Sequence, residues 1–569
     1  MAARAVRVIT EVAAVDRPFD YSLSDATDQV SIGDRVRVDF NHRSVRAWVI
    51  EEAQPSSELK TIKKWLGYGP PSSLLELLRW ASERWYSSWS RFLLSASPHR
   101  IVTVLPRAPN AAPLSQLVRD SSVTLVPGVH QVAPTSDPLA LVLGAYEMTR
   151  DAEGSLLVLV PNESWASRLR GRLEQRGCYV ASGDEQWDRM RAGWPVVVGA
   201  RGTALAPVPK VAGAVIIDAD DESYRSSATP TWEAVAMLRE RCRRDSAPLW
   251  CTSMIPSPSL IDGAGFHKDA DLMNGWPRLE VIDRRSSDPR DGVLAREALD
   301  AAHRALTGEE KIAVAVILQR LGSGRLLACV SCGELARCAK CAQAEEEVDG
   351  QLACGERHEL RARFCRACGS TNLKRLRGGV TTLARDLSAQ LSQPVSEITA
   401  ATDFSTGLAR VVVGTEATWQ RVRRCDLVIF VDFDQYLLAP RESARRSAIN
   451  AVGKAGRLVG SRREGRGHVV LQTRRSDDAV VHALMNADFD TIIAEDIAEA
   501  ELLGLSPYGA SAEVSGEGAE SFVEGLATSS VTVERTPTGY LVRASDVGTL
   551  TGTLRSAERP VQKLRVAVK

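Results

Sequence analysis

Cys329–Cys341 reads C-V-S-C-G-E-L-A-R-C-A-K-C, and the segment continues through A-C-G-E-R-H (Ala353–His358) to F-C-R-A-C-G-S (Phe364–Ser370). Seven of the chain's 11 cysteines lie between Cys329 and Cys368. Six of them form C-x-x-C pairs: Cys329/Cys332, Cys338/Cys341 and Cys365/Cys368. A C-x-x-C turn brings two thiolates toward one point, and tetrahedral zinc takes four such ligands. Glycines follow Cys332, Cys354 and Cys368 and suit the left-handed turn that faces backbone amides to sulfur. Disulfides call for an oxidising compartment, and the N-terminus carries no export signal. A redox C-x-x-C occurs singly, not in triplicate. Cys329, Cys332, Cys365 and Cys368 make one complete four-thiolate zinc site. Cys338, Cys341 and Cys354 make a triad whose fourth ligand is missing, with His358 as the candidate and an empty or weak second site as the alternative.

Working outward, 569 residues predict three to five domains, and 44% hydrophobic content supports large buried cores. Formal net charge is zero, so no global attraction to nucleic acid follows. Basic residues cluster locally: Arg357–Arg377 has seven Lys/Arg against one Glu, and Arg441–Arg466 eight against two. Such clusters are commonly solvated faces and gain meaning only from context. No apolar run approaches the length of a membrane span, so a cytoplasmic protein is expected.

Residues 4–66 read as a small β domain, placed within 1–70. I-G-D-R-V-R-V-D-F (Ile32–Phe40) alternates charged and apolar residues, and R-S-V-R-A-W-V-I-E (Arg43–Glu51) is its hairpin partner. Leu74, Leu75, Leu77, Leu78, Ala81 and Trp85 then share a helical face, followed by S-P-H-R-I-V-T-V-L-P, a candidate wing. A winged-helix-like module is expected over 71–112. From about residue 120, short apolar strands such as Leu156–Pro161, Val196–Gly199 and Ala214–Asp218 alternate with helices. That rhythm resumes after the cysteines at Ala409–Glu416, Leu427–Asp434 and Gly467–Thr473. Two α/β lobes are expected, 113–290 and 291–480, with the cysteine segment inserted at 325–376. A last α+β domain covers 481–569: a helix at Thr491–Leu503, a linker at Gly509–Gly518, then two-stranded patterns.

This order resembles the bacterial replication-restart family PriA over nearly the whole chain. D-R-P-F-D-Y (Asp16–Tyr21) followed by G-D-R-V-R-V-D-F is similar to that family's 3′-end-binding domain. The C-x-x-C knuckles inside the second lobe are its most specific feature; there the first and last pairs share one zinc and the middle pairs the other. V-V-V-G-A-R-G-T-A-L-A-P (Val196–Pro207) is similar to the family's G-T-R-S-A-x-F-A-P. N-A-V-G-K-A-G-R (Asn450–Arg457) is similar to the segment carrying its arginine finger. The resemblance implies two RecA-like helicase lobes, and a pocket in which Phe19 and Asp20, with Lys60 nearby, receive the terminal base of a 3′ end. Asn41 stands where the family has a glycine. Arg361, Arg363 and Arg366 are expected on a basic outer face of the zinc module, with Lys374 and Arg375.

The phosphate-handling motifs depart from the family. Val126–Pro138 reads V-P-G-V-H-Q-V-A-P-T-S-D-P and keeps Gly128 but no Gly-Lys-Ser/Thr. The D-E-E-H box reads D-A-D-D (Asp218–Asp221), retaining Asp218; the S-A-T-P box reads C-T-S-M (Cys251–Met254). Lys454 replaces the first arginine of the last box, and Arg457 remains. Three losses together predict lobes that no longer use ATP. The expectation is a nucleoid-associated restart protein that binds forked DNA and 3′ ends and helps reload the replisome. Its partners would be primosome proteins, single-stranded-DNA-binding protein and helicase-loading factors, with no membrane. An active ATP-dependent 3′-5′ helicase and a DNA-independent scaffold are the alternatives.

Overall fold

The structure is a computed structural model. It describes residues 4–12, 15–111, 125–287, 292–318, 327–340, 343–348, 350–354, 358–375, 380–399, 407–439, 443–526 and 529–569. The protein is a multidomain α/β chain that divides into two compact units: residues 1–130, 137–267 and 496–569, and residues 131–136 with 268–495.

In the first unit, β1 (Ala5–Thr10), β2 (Phe19–Ser22), β3 (Arg35–Phe40), β4 (Arg43–Ala53) and β5 (Lys64–Gly67) form an antiparallel sheet in the order β2-β1-β4-β3-β5. One face buries Val6, Val8, Tyr21, Val36, Val38 and Val49. Ile9 and Trp48, on the other face, join a core with helices α1 (Ser72–Arg84) and α2 (Trp89–Ser95). The expected wing is not formed, because residues 96–111 carry no strand. The Val102 carbonyl instead accepts the Tyr68 amide at 2.8 Å.

β6 (Gly128–Gln131), β7 (Ser155–Leu159), β8 (Val180–Ala181), β9 (Val196–Gly199), β10 (Val211–Ile216), β11 (Leu249–Ser253) and β12 (Phe266–Lys268) make a seven-stranded sheet, ordered β12-β6-β11-β10-β7-β9-β8. The β11-β10-β7-β9-β8 portion is parallel. Leu156 and Val158 pack on one side, Leu157 and Leu159 on the other, so both faces are buried. Full burial of such a side chain contributes about 1.5–3 kcal/mol.

In the second unit, β13 (Arg278–Asp283) and β14 (Val314–Ile317) join β20 (Val395–Ile398), β21 (Val411–Gly414), β22 (Leu427–Phe430) and β23 (His468–Thr473). This sheet runs β13-β23-β22-β14-β21-β20 and is parallel throughout. β13 pairs with β23, so the boundary between the two α/β sheets falls near residue 268 rather than 290. The cysteine segment leaves the sheet after β14 and returns before the helix Val380–Leu391. It holds β15 (Leu327–Cys329), β16 (Glu345–Val348), β17 (Gln351–Cys354), β18 (Arg361–Ala362) and β19 (Leu373–Arg375).

At the C-terminus, β24 (Ala510–Ser515), β25 (Thr532–Thr536), β26 (Gly539–Ala544) and β27 (Arg565–Val568) form a sheet ordered β25-β26-β24-β27. β24 occupies the stretch read from sequence as a linker. Ala510, Ala512 and Val514 alternate inward at positions that small residues had disguised. Phe522, Leu550 and Leu554 share the core that buries α1 and α2, so this terminal domain belongs to the first unit.

Candidate metal centres and nucleic-acid interface

β15 and β19 are antiparallel, with Cys329 opposite Leu373. Each strand end is joined to a C-x-x-C turn of the same construction. The Gly333 amide donates to Cys329 O at 2.9 Å and the Gly369 amide to Cys365 O at 2.8 Å, both glycines at φ 75°. The Cys329 and Cys365 amides in turn donate to Glu334 O and Ser370 O, each at 2.8 Å. These turns bring four sulfurs within 4.8 Å of one another, with Cys329–Cys368 at 3.5 Å and Cys332–Cys365 at 3.6 Å. Thiolates held about 2.3 Å from a tetrahedral ion stand about 3.8 Å apart, so the donor set fits. Burial pushes the Cys329 thiol up, but the amides of Cys332 and Ser331 and the Cys368 thiol more than offset it and bring it to about 6.

In the second cluster the Cys338 amide donates to Gln343 O at 2.9 Å. Cys338, Cys354 and His358 lie together, with His358 Nδ1 3.9 Å from Cys338 Sγ and 3.6 Å from Cys354 Sγ. Cys341 lies outside the described residues. Both groups can hold a metal ion.

The module's basic face differs from expectation at Arg361. That side chain is buried and paired with Glu345, itself 1% exposed, and its Nη1 donates to Phe364 O at 2.6 Å. β16-β17-β18 pairing draws the two charges inside, so Arg361 cannot reach a phosphate. Arg363 is half-buried and donates to Leu373 O at 2.6 Å. Arg366 is exposed, 2.9 Å from Glu359, and Lys374 is exposed. Nothing is described of the Arg375 side chain.

In the N-terminal sheet, Arg7 stands opposite Asp20 and Val8 opposite Phe19. Consecutive strand residues face opposite sides, so the side chains of Phe19 and Asp20 do not line one pocket. Phe19 is half-buried against Phe40, with ring centroids 4.9 Å apart and Arg17 above it at 5.1 Å. Asp20 is gripped by Arg7, Nε–Oδ1 2.7 Å and Nη2–Oδ2 3.1 Å, and this guanidinium lowers its pKa. Neither Arg7 nor Phe40 stood out in the sequence, although the period-two pattern placed both. Lys60 is exposed, and Ser22 N donates to its carbonyl at 3.0 Å. Asn41 and His42 turn β3 into β4 at φ 47° and 60°, so Asn41 takes the left-handed backbone that glycine favours.

Gly128 is not in a phosphate loop. It opens β6, where a Cβ would lie 2.4 Å from Gly265 O. The loop that follows β6 contains no glycine, and Pro138 opens the next helix. Asp137 caps that helix, accepting Leu139 N at 3.0 Å, and both Nη atoms of Arg172 clamp its carboxylate. A carboxylate thus sits where a phosphate-binding helix would receive its anion. Asp218, at φ 54°, is buried beyond β10, and its amide donates to Thr252 Oγ1 at 3.0 Å. Asp220 accepts from Ser253 Oγ at 2.8 Å. Arg457 Nε donates to Pro134 O at 2.9 Å.

A family model of the 3′ DNA-binding domain of PriA matches residues 7–98, the span of β1–β5, α1 and α2. "Replication restart protein PriA" of Treponema pallidum is 25% identical over 573 residues, covering 87% of this chain and 84% of that protein. The chain is thus similar to a PriA domain over residues 7–98 and to a PriA protein over most of its length. The PriA of Synechocystis is 24% identical and that of Thermotoga maritima 23%, covering 62% and 63% of this chain; the chain spans about half the length of each, 48% and 52%. Among solved structures, S. cerevisiae Dbp5 bound to RNA and ADP BeF3 is similar at 12% identity and a TM-score of 0.36, covering 68% of this chain and 88% of that one.

Proposed function

We propose that this chain is a replication-restart protein that binds forked or branched DNA without nucleotide-driven translocation. The family match over β1–β5, α1 and α2 carries this reading. Asp20, oriented by Arg7 on the edge strand β2, accepts from the 3′-hydroxyl, and Phe19 with Phe40, on the opposite side of that strand, offers a separate half-open aromatic surface for a base. Lys60 neutralises nearby phosphate. Cys329, Cys332, Cys365 and Cys368 hold one zinc, and Cys338, Cys341, Cys354 and His358 a second. Zinc supplies the folding energy that this insertion, with its small core, lacks. Among the described residues, Lys340, Arg366 and Lys374 are exposed cations of the module, available to DNA or to primosome partners such as single-stranded-DNA-binding protein and helicase-loading factors.

Loss of ATP use is supported by the Asp137–Arg172 cap, by the strand position of Gly128, and by the engagement of Asp220 with Ser253. Such a protein acts in the cytoplasm at the nucleoid. Fork-binding anisotropy tests the 3′-end role: Asp20→Ala weakens binding to forks with a free 3′-hydroxyl more than to blocked forks. Equal weakening on both would remove that role.

A further inference from the structure

Arg474 follows directly on β23 and Arg285 lies two residues beyond β13, so both rise from the carboxyl ends of neighbouring parallel strands, where α/β sheets commonly bind ligands. Across from them, Arg337 of the zinc module completes a cavity of about 150 Å³ with Arg475. Three of the four guanidinium groups are already answered: Arg285 by Asp283 at 2.7 Å, Arg337 by Glu334 at 2.8 Å and Arg475 by Asp478 at 2.9 Å. Arg474 is not. Its amide donates to Asp434 at 3.0 Å, but its guanidinium makes no hydrogen bond or ion pair among the described residues, and Nε is sequestered without a partner. Asp434 faces it electrostatically and is itself pushed up by burial and by Asp432. The lining carries four guanidinium groups against three carboxylates, and Asp283 pairs with Arg285 from just outside it. A buried donor without a partner is costly, and a guanidinium fork matches a tetrahedral oxyanion.

We propose that this cavity is an oxyanion site that takes one phosphate group, either free phosphate or a backbone phosphate of bound DNA. The group would sit against Arg474, with the paired arginines at its rim, and would fasten the zinc module to the sheet end. Phosphate binding here does not depend on the chain binding DNA, so it is read without DNA first. Inorganic phosphate is titrated into the metal-loaded full chain against chloride at constant ionic strength, and the thermal midpoint is followed. A saturable rise is expected, and Arg474→Met weakens the apparent phosphate affinity about tenfold. No rise in the native chain, or the same rise in Arg474→Met, overturns the site. Should Arg474→Met not fold, Arg337→Gln at the rim weakens phosphate severalfold, and unchanged affinity there overturns it equally. With saturating fork DNA, disappearance of the phosphate-dependent rise identifies a DNA phosphate as the occupant. Its persistence identifies free phosphate.

Discussion

Arg361 is held inside the cysteine module, where its guanidinium meets Glu345 and the Phe364 carbonyl. In the sequence it is one of seven cations in a basic run; in the fold it is the inner half of a buried pair with Glu345. Removing one partner of a buried pair strands the other charge, which costs about 3–5 kcal/mol. Arg361→Ala therefore speeds amide exchange throughout β16–β18. Arg366→Ala, which removes an exposed pair with Glu359 and a looser 3.9 Å contact to Glu345, changes it by less than about 1 kcal/mol. Equal small effects would contradict the burial. Asp434 makes a second residue-level prediction. Burial, then repulsion from Asp432, raises its carboxyl to about 6. The folded state then holds a proton that the unfolded state releases near the ordinary carboxylate pKa of about 3.9, so stability falls as pH rises from about 4 to 6. The loss amounts to up to about 3 kcal/mol. Asp434→Asn should lack this decline, and the thermal midpoint of the native chain should drop relative to the variant across that window. Parallel curves would mean that Asp434 ionises normally.

At the scale of elements, the four thiolates sit at the ends of β15 and β19, and the second cluster takes Cys354 from the end of β17 with Cys338 and His358 from the loops around it. Cys332→Ser should lower the metal content of the purified chain from two ions to one and loosen β15 and β19 while leaving β16–β18 protected. Loss of both ions, or of neither, would contradict two independent sites. The cysteine framework was legible because ligand spacing survives without any packing context. So were Val196–Gly199, Val411–Gly414 and Leu427–Phe430, whose continuous apolar runs match strands buried on both faces. β24 was not, since Ala and Ser at alternating positions mimic linker composition until a neighbouring strand supplies the pairing. The wing expected after α2 failed for the opposite reason. Ile101 and Val104 look strand-like in sequence, but they are exposed on a segment that forms no strand. The Phe19–Asp20 pocket was misjudged because adjacency in sequence was read as adjacency in space, although strand alternation separates the two side chains. Arg474 carried no sequence signal at all; its site exists only because β13, β23 and the zinc module converge.

At the scale of the molecule, two α/β sheets carry loops in which residues at the family's phosphate-handling positions make structural contacts. Gly128 serves a close strand contact, Asp137 occupies a helix start, and Asp220 accepts from Ser253. A sheet frame of this kind keeps its shape without phosphoryl transfer, because buried strands and not the loops supply its stability. On the reading proposed above, the missing P-loop lysine and amides remove most of the electrostatic stabilisation for phosphoryl transfer. ATP hydrolysis by the purified chain, with and without forked DNA, measured beside fork-binding anisotropy in the same preparation, tests this most directly. The account predicts fork binding with no hydrolysis above the protein-free background. DNA-stimulated hydrolysis would contradict it and show the loop after β6 to be a working nucleotide site.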